Sequence, residues 1–232
     1  MENIDSWEEK FEVCNYAKKL LDIITHLNNI IKTSTVDIIE VKKAIFYAKK
    51  YHGTQMRQSG EPYYSHPLEV AYMLAEYIAV EDRKRFRTDI LVASILHDTI
   101  EDTELTKEKI TEVFNQEVGK MVNMLSKNKE KNIREIVNAA FLTRNQDVLL
   151  IKLFDRVHNV LTLKFTKKEK QQKKAIETIH IFLTLSLYLN IESVKELIEE
   201  ICCNILNSDY HHYDDTFNDN YQLPFLDFQS SF

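Results

Sequence analysis

The stretch ILHDTIED, residues 95–102, holds a histidine, three carboxylates and a threonine, all able to bind metal, move a proton or accept a hydrogen bond. Just before it stand Ile90, Leu91, Val92 and Ala93, which together with Ile95 and Leu96 read as a buried helix. Burying a carboxylate without a partner is costly, so a compensating charge is required. On one helix, His97 and Glu101 fall four apart, as do Asp98 and Asp102, while Asp98 and Glu101 fall three apart. All four are therefore expected on one face. His97 and Asp98 can ligate a single ion where that helix end meets a cavity. Glu101 and Asp102, one turn on, then sit where a base that activates water belongs.

Two further segments carry the same kind of residue. In KLFDRVHNVLTL, Asp155, Asn159 and Thr162 follow i, i+4, i+7 spacing and form a polar stripe among Leu153, Val157, Val160 and Leu161. In SHPLEV, Pro67 suits the first position of a helix and Glu69 the third, which puts His66 at the cap. Histidine caps poorly compared with Ser, Thr, Asp or Asn, so its imidazole is wanted elsewhere. Taken singly, each segment has a plainer reading: an Asp155–Arg156 ion pair, a helix-start histidine, or structural histidines at His52 and His158. Taken together, His66, His97, Asp98 and Asp155 make a set of two histidines and two carboxylates for one divalent ion. Mixed nitrogen and oxygen donors suit Mn, Fe, Zn or Co better than Ca.

The elements that position these residues are predicted to be helices. Three glycines and three prolines in 232 residues are far below the roughly 7% and 5% of average usage, and strand-rich folds need many turns. Apolar residues recur at three- and four-residue spacing, which predicts helices over 7–32, 36–52, 66–79, 86–99, 106–115, 117–126, 146–162, 168–190 and 192–206. Residues 127–145 show no clear pattern. HGTQMRQSGEPYYS, with two of the three glycines, reads as an ordered loop. The fold class is all-α: one compact multi-helix domain over residues 1–207, followed by an acidic, aromatic tail over 208–232.

Composition excludes several function classes. The net charge is −6, but five aspartates lie in the tail, which leaves 31 acids against 30 bases upstream. No basic domain appears that would suggest duplex nucleic acid as a partner. The apolar runs are too short to span a bilayer, and MENIDSWEEKFEV lacks the pattern of a signal peptide. Cys14, Cys202 and Cys203 are too few and too poorly spaced for a disulfide framework. A soluble cytoplasmic protein is expected, with no membrane partner. His211 and His212, beside Asp214 and Asp215, read as a solvated tail.

The order His, then His-Asp, then a distant Asp resembles the HD superfamily of metal-dependent phosphohydrolases. More specifically, RQSGEPYYSHPLEVAYML, ILHDTIEDT and IKLFDRVHNVLTL resemble the hydrolase domain of the RelA/SpoT family over roughly residues 36–190. That resemblance implies removal of the 3′ diphosphate from the guanine nucleotides ppGpp and pppGpp. It implies Mn²⁺ on His66, His97, Asp98 and Asp155, with Glu101 and Asp102 activating or orienting the attacking water. Arg57, Ser59, Asn159 and Thr162 match positions that line the nucleotide pocket. Glu61 and Tyr63 match the loop, either shaping it or touching substrate.

The long family members continue into a synthetase domain, and this chain resembles a small, hydrolase-only form. Gln58 and Leu161 depart from the basic residues usual at those positions, and MLSKNKE replaces a common Val-Thr-Lys. The changes at Gln58 and Leu161 keep open phosphatase action on another nucleotide such as NADPH. A non-catalytic alarmone-binding module is a further alternative, against which the intact ligand set and the Glu101–Asp102 pair argue.

Overall fold

Side-chain caps set where several helices begin. Asp37 opens α2 (Ile38–His52) by accepting the Ile39 amide at 2.8 Å. Thr106 opens α6 (Lys107–Val113) and Asn115 opens α7 (Gln116–Leu125). A reciprocal capping box of Asn132 and Glu135 opens α8 (Ile133–Leu142). Each such cap satisfies amides that the first turn leaves without an intrahelical partner. The remaining helices are α1 (Asn15–Ile30), α3 (Ser65–Glu81), α4 (Thr88–Leu96), α5 (Thr99–Asp102), α9 (Gln146–Leu161), α10 (Lys168–Thr178), α11 (Thr184–Tyr188) and α12 (Glu192–Asn207). The structure, a computed structural model, describes residues 7–126 and 132–207. Among these residues the only extended pairing is an isolated bridge between Met56 and Pro62, so the all-α expectation holds.

The chain divides into two compact units, Met1–Phe154 and Asp155–Phe232. In the first, α4 is the central element, and no residue from Ile90 to Leu96 is more than 1% exposed. A helix that is apolar all round must be covered all round, and α2, α3 and α7 pack against it. Helix α1 lies along α3 and α2. Helices α6 and α7 approach closely at Gly119, where a Cβ would stand 2.1 Å from Thr111 Oγ1. In the second unit, α10 and α12 pack together around Ala175, Val194, Ile198 and Ile201.

Several predicted helices differ in the structure. The first helix starts at Asn15 instead of residue 7, because Trp7 is buried and its carbonyl accepts the Lys10 amide at 3.1 Å, closing a separate turn. The predicted helix 168–190 contains a π-helical turn, Ile179–Leu183. That turn carries the buried Phe182, whose ring receives the Arg156 guanidinium at 4.5 Å. The segment 127–145 becomes helical from Ile133. The tail 208–232, with His211 and His212, and most of the divergent MLSKNKE stretch lie outside the described residues.

Candidate metal centre

The predicted helix 86–99 does not continue through the histidine. It ends at Leu96; His97 and Asp98 form a turn, and α5 starts at Thr99. Side chains there compete for the backbone carbonyls of the helix end. The Thr99 hydroxyl donates to the Leu96 carbonyl at 2.6 Å, and His97 Nδ1 donates to the Ser94 carbonyl at 2.7 Å. The single helical face expected for His97, Asp98, Glu101 and Asp102 is thus corrected to two short helices meeting at a turn. Asp98 and Asp102 remain neighbours, since the Asp102 amide donates to the Asp98 carbonyl at 2.9 Å.

The turn has a chemical consequence. A carbonyl only accepts, so Nδ1 of His97 carries a proton, and Nε2 is the nitrogen left to ligate an ion. That Nε2 lies 3.1 Å from Asp98 Oδ1, and the His66 Nε2 lies 3.5 Å from Asp98 Oδ2. Ligand atoms of His66, His97 and Asp98 all fall within 4.8 Å of one another. Both imidazoles are buried, and the two rings meet edge to face with centroids 5.2 Å apart. Two imidazoles and one carboxylate, converging in a mostly buried place, fit a divalent cation.

His66 reaches this point differently from expectation. Helix α3 begins at Ser65 with Tyr64 at its cap, so His66 is the second helical residue and the proposed capping arrangement is absent. Its backbone amide donates to the Tyr63 carbonyl at 3.1 Å, and the Ser65 amide to the Pro62 carbonyl at 3.0 Å. Pro67 stands third, where a missing amide hydrogen costs nothing.

Spacing assigns no role to the layer of side chains behind these three residues. The Tyr63 hydroxyl donates to Asp102 Oδ2 at 2.7 Å and lies 3.2 Å from Asp98 Oδ2. Burial, then the nearby Asp98 and Asp102 charges, push the Tyr63 phenol far above its ordinary pKa, so it remains a donor. His52 stacks on the Tyr63 ring, centroids 4.7 Å apart and 27° between planes. Its Nδ1 meets Gln55 Oε1 at 2.9 Å, and Gln55 Nε2 donates to the Asp102 carbonyl at 2.9 Å. Burial holds the His52 pKa below its usual value. The sequence signal for this layer was present in the loop HGTQMRQSGEPYYS, but its pairing with Asp102 spans 39 and 47 residues.

The other expected site residues fall as follows. Glu101 and Asp102 are exposed at the end of α5. Arg57 and Ser59 lie on a tight turn, with the Gly60 amide donating to the Arg57 carbonyl at 3.0 Å and the Arg57 amide to the Glu61 carbonyl at 2.8 Å. Gly60 adopts φ +86°, a left-handed conformation that favours glycine. Asp155 opens the second unit and is buried on α9, where Asn159 Nδ2 donates to its Oδ1 at 2.6 Å. Arg156 pairs with Glu177 at 2.6 Å. Thr162 ends the stripe, its hydroxyl donating to the His158 carbonyl at 3.0 Å.

Comparison with known proteins places this geometry in context. Residues 44–191 match the family described as HD domain. The chain is 36% identical over 180 residues to the GTP pyrophosphokinase rsh of Brucella ovis, covering 73% of this chain and 23% of that protein. It is 37% identical over 169 residues to the guanosine-3′,5′-bis(diphosphate) 3′-pyrophosphohydrolase of Aquifex aeolicus, covering 69% of this chain and 23% of the relative. The matched stretch therefore spans about a quarter of the length of these curated relatives. A solved structure described as "A metazoan ortholog of SpoT hydrolyzes ppGpp and plays a role in starvation responses" shares the fold. Its TM-score is 0.57 at 21% identity, over 70% of this chain and 93% of that one. No helix among the described residues is long and apolar enough to cross a membrane.

Proposed function

This chain belongs to the HD domain family, and on that footing we propose that it hydrolyses the 3′ diphosphate of ppGpp and pppGpp in a metal-dependent reaction. The observation that carries this reading is the convergence of His66, His97 and Asp98 within 4.8 Å. The names of the Brucella and Aquifex relatives support guanine nucleotide chemistry. On the strength of the sequence motif, Asp155 is assigned as a fourth donor, and Mn²⁺ as the ion. When bound, the ion supplies positive charge to the phosphoryl oxygens and makes water more acidic.

The chain's own groups divide the remaining work. Glu101 is the base that removes a proton from the attacking water. The water oxygen joins the inner phosphorus of the 3′ diphosphate, the bond from that phosphorus to the ribose 3′ oxygen breaks, and the 3′ oxygen gains a proton. The products are pyrophosphate and GDP or GTP. Asp102, held by Tyr63, orients Glu101 and the water. Arg57, with its planar fork of donors, is assigned to phosphate or guanine, and Ser59, Asn159 and Thr162 to the nucleotide pocket.

Product analysis with Mn²⁺ and a panel of ppGpp, pppGpp, GTP and NADPH tests the reading. Pyrophosphate released from ppGpp and pppGpp supports it. Orthophosphate from NADPH alone, or no product from any of the four, contradicts it.

A further inference from the structure

Helix α1 lies outside the residues that match the family, 44–191, yet its first turns touch the loop that carries Arg57 and Ser59. The Tyr16 hydroxyl donates to Glu61 Oε1 at 2.7 Å, and the Ser59 hydroxyl donates to Glu61 Oε2 at 3.0 Å. The Glu61 carbonyl in turn accepts the Arg57 amide at 2.8 Å. One residue, Glu61, therefore ties together Arg57, Ser59 and a helix 45 residues away in sequence. The contacts continue along the helix. Lys19 pairs with Glu69 at 2.9 Å while its ammonium lies 4.1 Å from the Tyr72 ring centroid.

We infer that Tyr16 is a positioning residue for the nucleotide-binding turn Arg57–Glu61, a role that rests on the function proposed above. Tight turns of this kind have few interactions to hold one geometry. The Arg57–Gly60 turn has two backbone hydrogen bonds of its own, and its Ser59 hydroxyl is oriented only as well as the Glu61 carboxylate is. A carboxylate whose two oxygens accept from two hydroxyls on different elements is fixed in rotation, and such charge-assisted bonds are the stronger class. The hydrogen bond to Glu61 pushes the Tyr16 phenol up to about 12, so it donates throughout the working pH range. Losing the Tyr16 hydroxyl frees the carboxylate to rotate, and the turn then samples geometries that do not bind. Binding affinity falls in proportion to the competent fraction, while the metal ligands and Glu101 are untouched.

The test compares Tyr16→Phe with Lys19→Met, which alters the same helix without touching the turn. Two readouts are taken on the full chain: steady-state kinetics with ppGpp and Mn²⁺, and hydrogen exchange of the Arg57 and Gly60 amides. Tyr16→Phe is expected to raise KM about 3- to 10-fold with kcat within twofold, and to speed exchange of both amides at least fivefold. Lys19→Met is expected to change neither. In a Glu61→Gln background the effect of Tyr16→Phe on KM should shrink below twofold, as coupling through a shared partner requires. Unchanged exchange in Tyr16→Phe overturns the inference, and so does faster exchange with an unchanged KM. Wild-type protein that fails to hydrolyse ppGpp overturns the proposed function instead, and the exchange measurement still decides whether Tyr16 holds the turn.

Discussion

The Tyr63 hydroxyl donates to Asp102 at 2.7 Å while standing 3.2 Å from Asp98, so one phenol spans a proposed metal ligand and a proposed catalytic carboxylate. Groups that hold ligands from behind typically matter by 10- to 100-fold in metal affinity or activity. Tyr63→Phe keeps the ring stacked on His52 and removes only the hydroxyl. It is expected to lower kcat about tenfold or more and weaken Mn²⁺ binding, with little change in thermal stability. Wild-type kcat and metal affinity in this variant would show that the hydroxyl does not order the carboxylates.

Glu101 differs from the proposed ligands in its surroundings. It is exposed on α5, while His66 and His97 are buried. Glu101→Gln preserves size and removes the proposed base. It should retain stoichiometric Mn²⁺ and bind ppGpp nearly as wild type, with kcat reduced by roughly 10² or more. If metal analysis finds that Glu101→Gln loses the ion as fully as His97→Ala, Glu101 is a ligand and the assignment of roles is wrong.

What the sequence carried and what it left out follow from physical range. Spacing within a helix reports neighbours three and four residues apart, so the all-α class and the Asp98–Asp102 proximity were legible. The turn at His97–Asp98 was not, because it arises from side chains capturing carbonyls of Ser94 and Leu96, and apolar periodicity runs straight through it. His66 stands at the start of a helix, as its sequence indicates, but not at the cap, since α3 begins one residue before it. The motif supplied Tyr63 and Glu61 without their partners. Tyr16 lay on a helix that read only as an apolar stripe, and no local pattern links it to Glu61.

Glu76 gives a pH prediction. It is buried on α3, its Oε1 accepts from the Tyr72 hydroxyl at 2.9 Å, and its Oε2 has no hydrogen-bond partner among the described residues. Burial raises its pKa from 4.5 to about 7, against the opposing pull of Tyr72 and Lys19. A raised carboxyl pKa means the native state holds the proton more tightly than the unfolded chain. The associated stability is fully present below about 4.5 and is lost as pH rises through about 7. His52 acts in the opposite sense, because its pKa is lowered and its contribution is lost as pH falls. The difference between wild type and Glu76→Gln isolates the carboxyl. From pH 5 to 8, wild type should lose on the order of 2 kcal/mol relative to the variant. Parallel stability curves for the two proteins would contradict this.

Gln58 sits exposed at the tip of the turn, between Arg57 and Ser59. A long cation there can stack on a base, an interaction worth about 0.5–2 kcal/mol. Gln58→Lys should lower KM for ppGpp by roughly 2- to 30-fold with kcat unchanged, because such binding is uniform between ground and transition states. An unmoved KM would mean that residue 58 points away from the bound nucleotide.

His66, His97 and Asp98 are proposed to hold an ion without which no hydrolysis occurs. The direct measurement is metal content and pyrophosphate release on the same protein, before chelation, after exhaustive chelation, and after return of Mn²⁺. The expected result is one ion per chain, activity abolished by chelation and restored by Mn²⁺, and neither ion nor activity in His97→Ala. Full hydrolysis of ppGpp by metal-free wild-type protein would contradict the account.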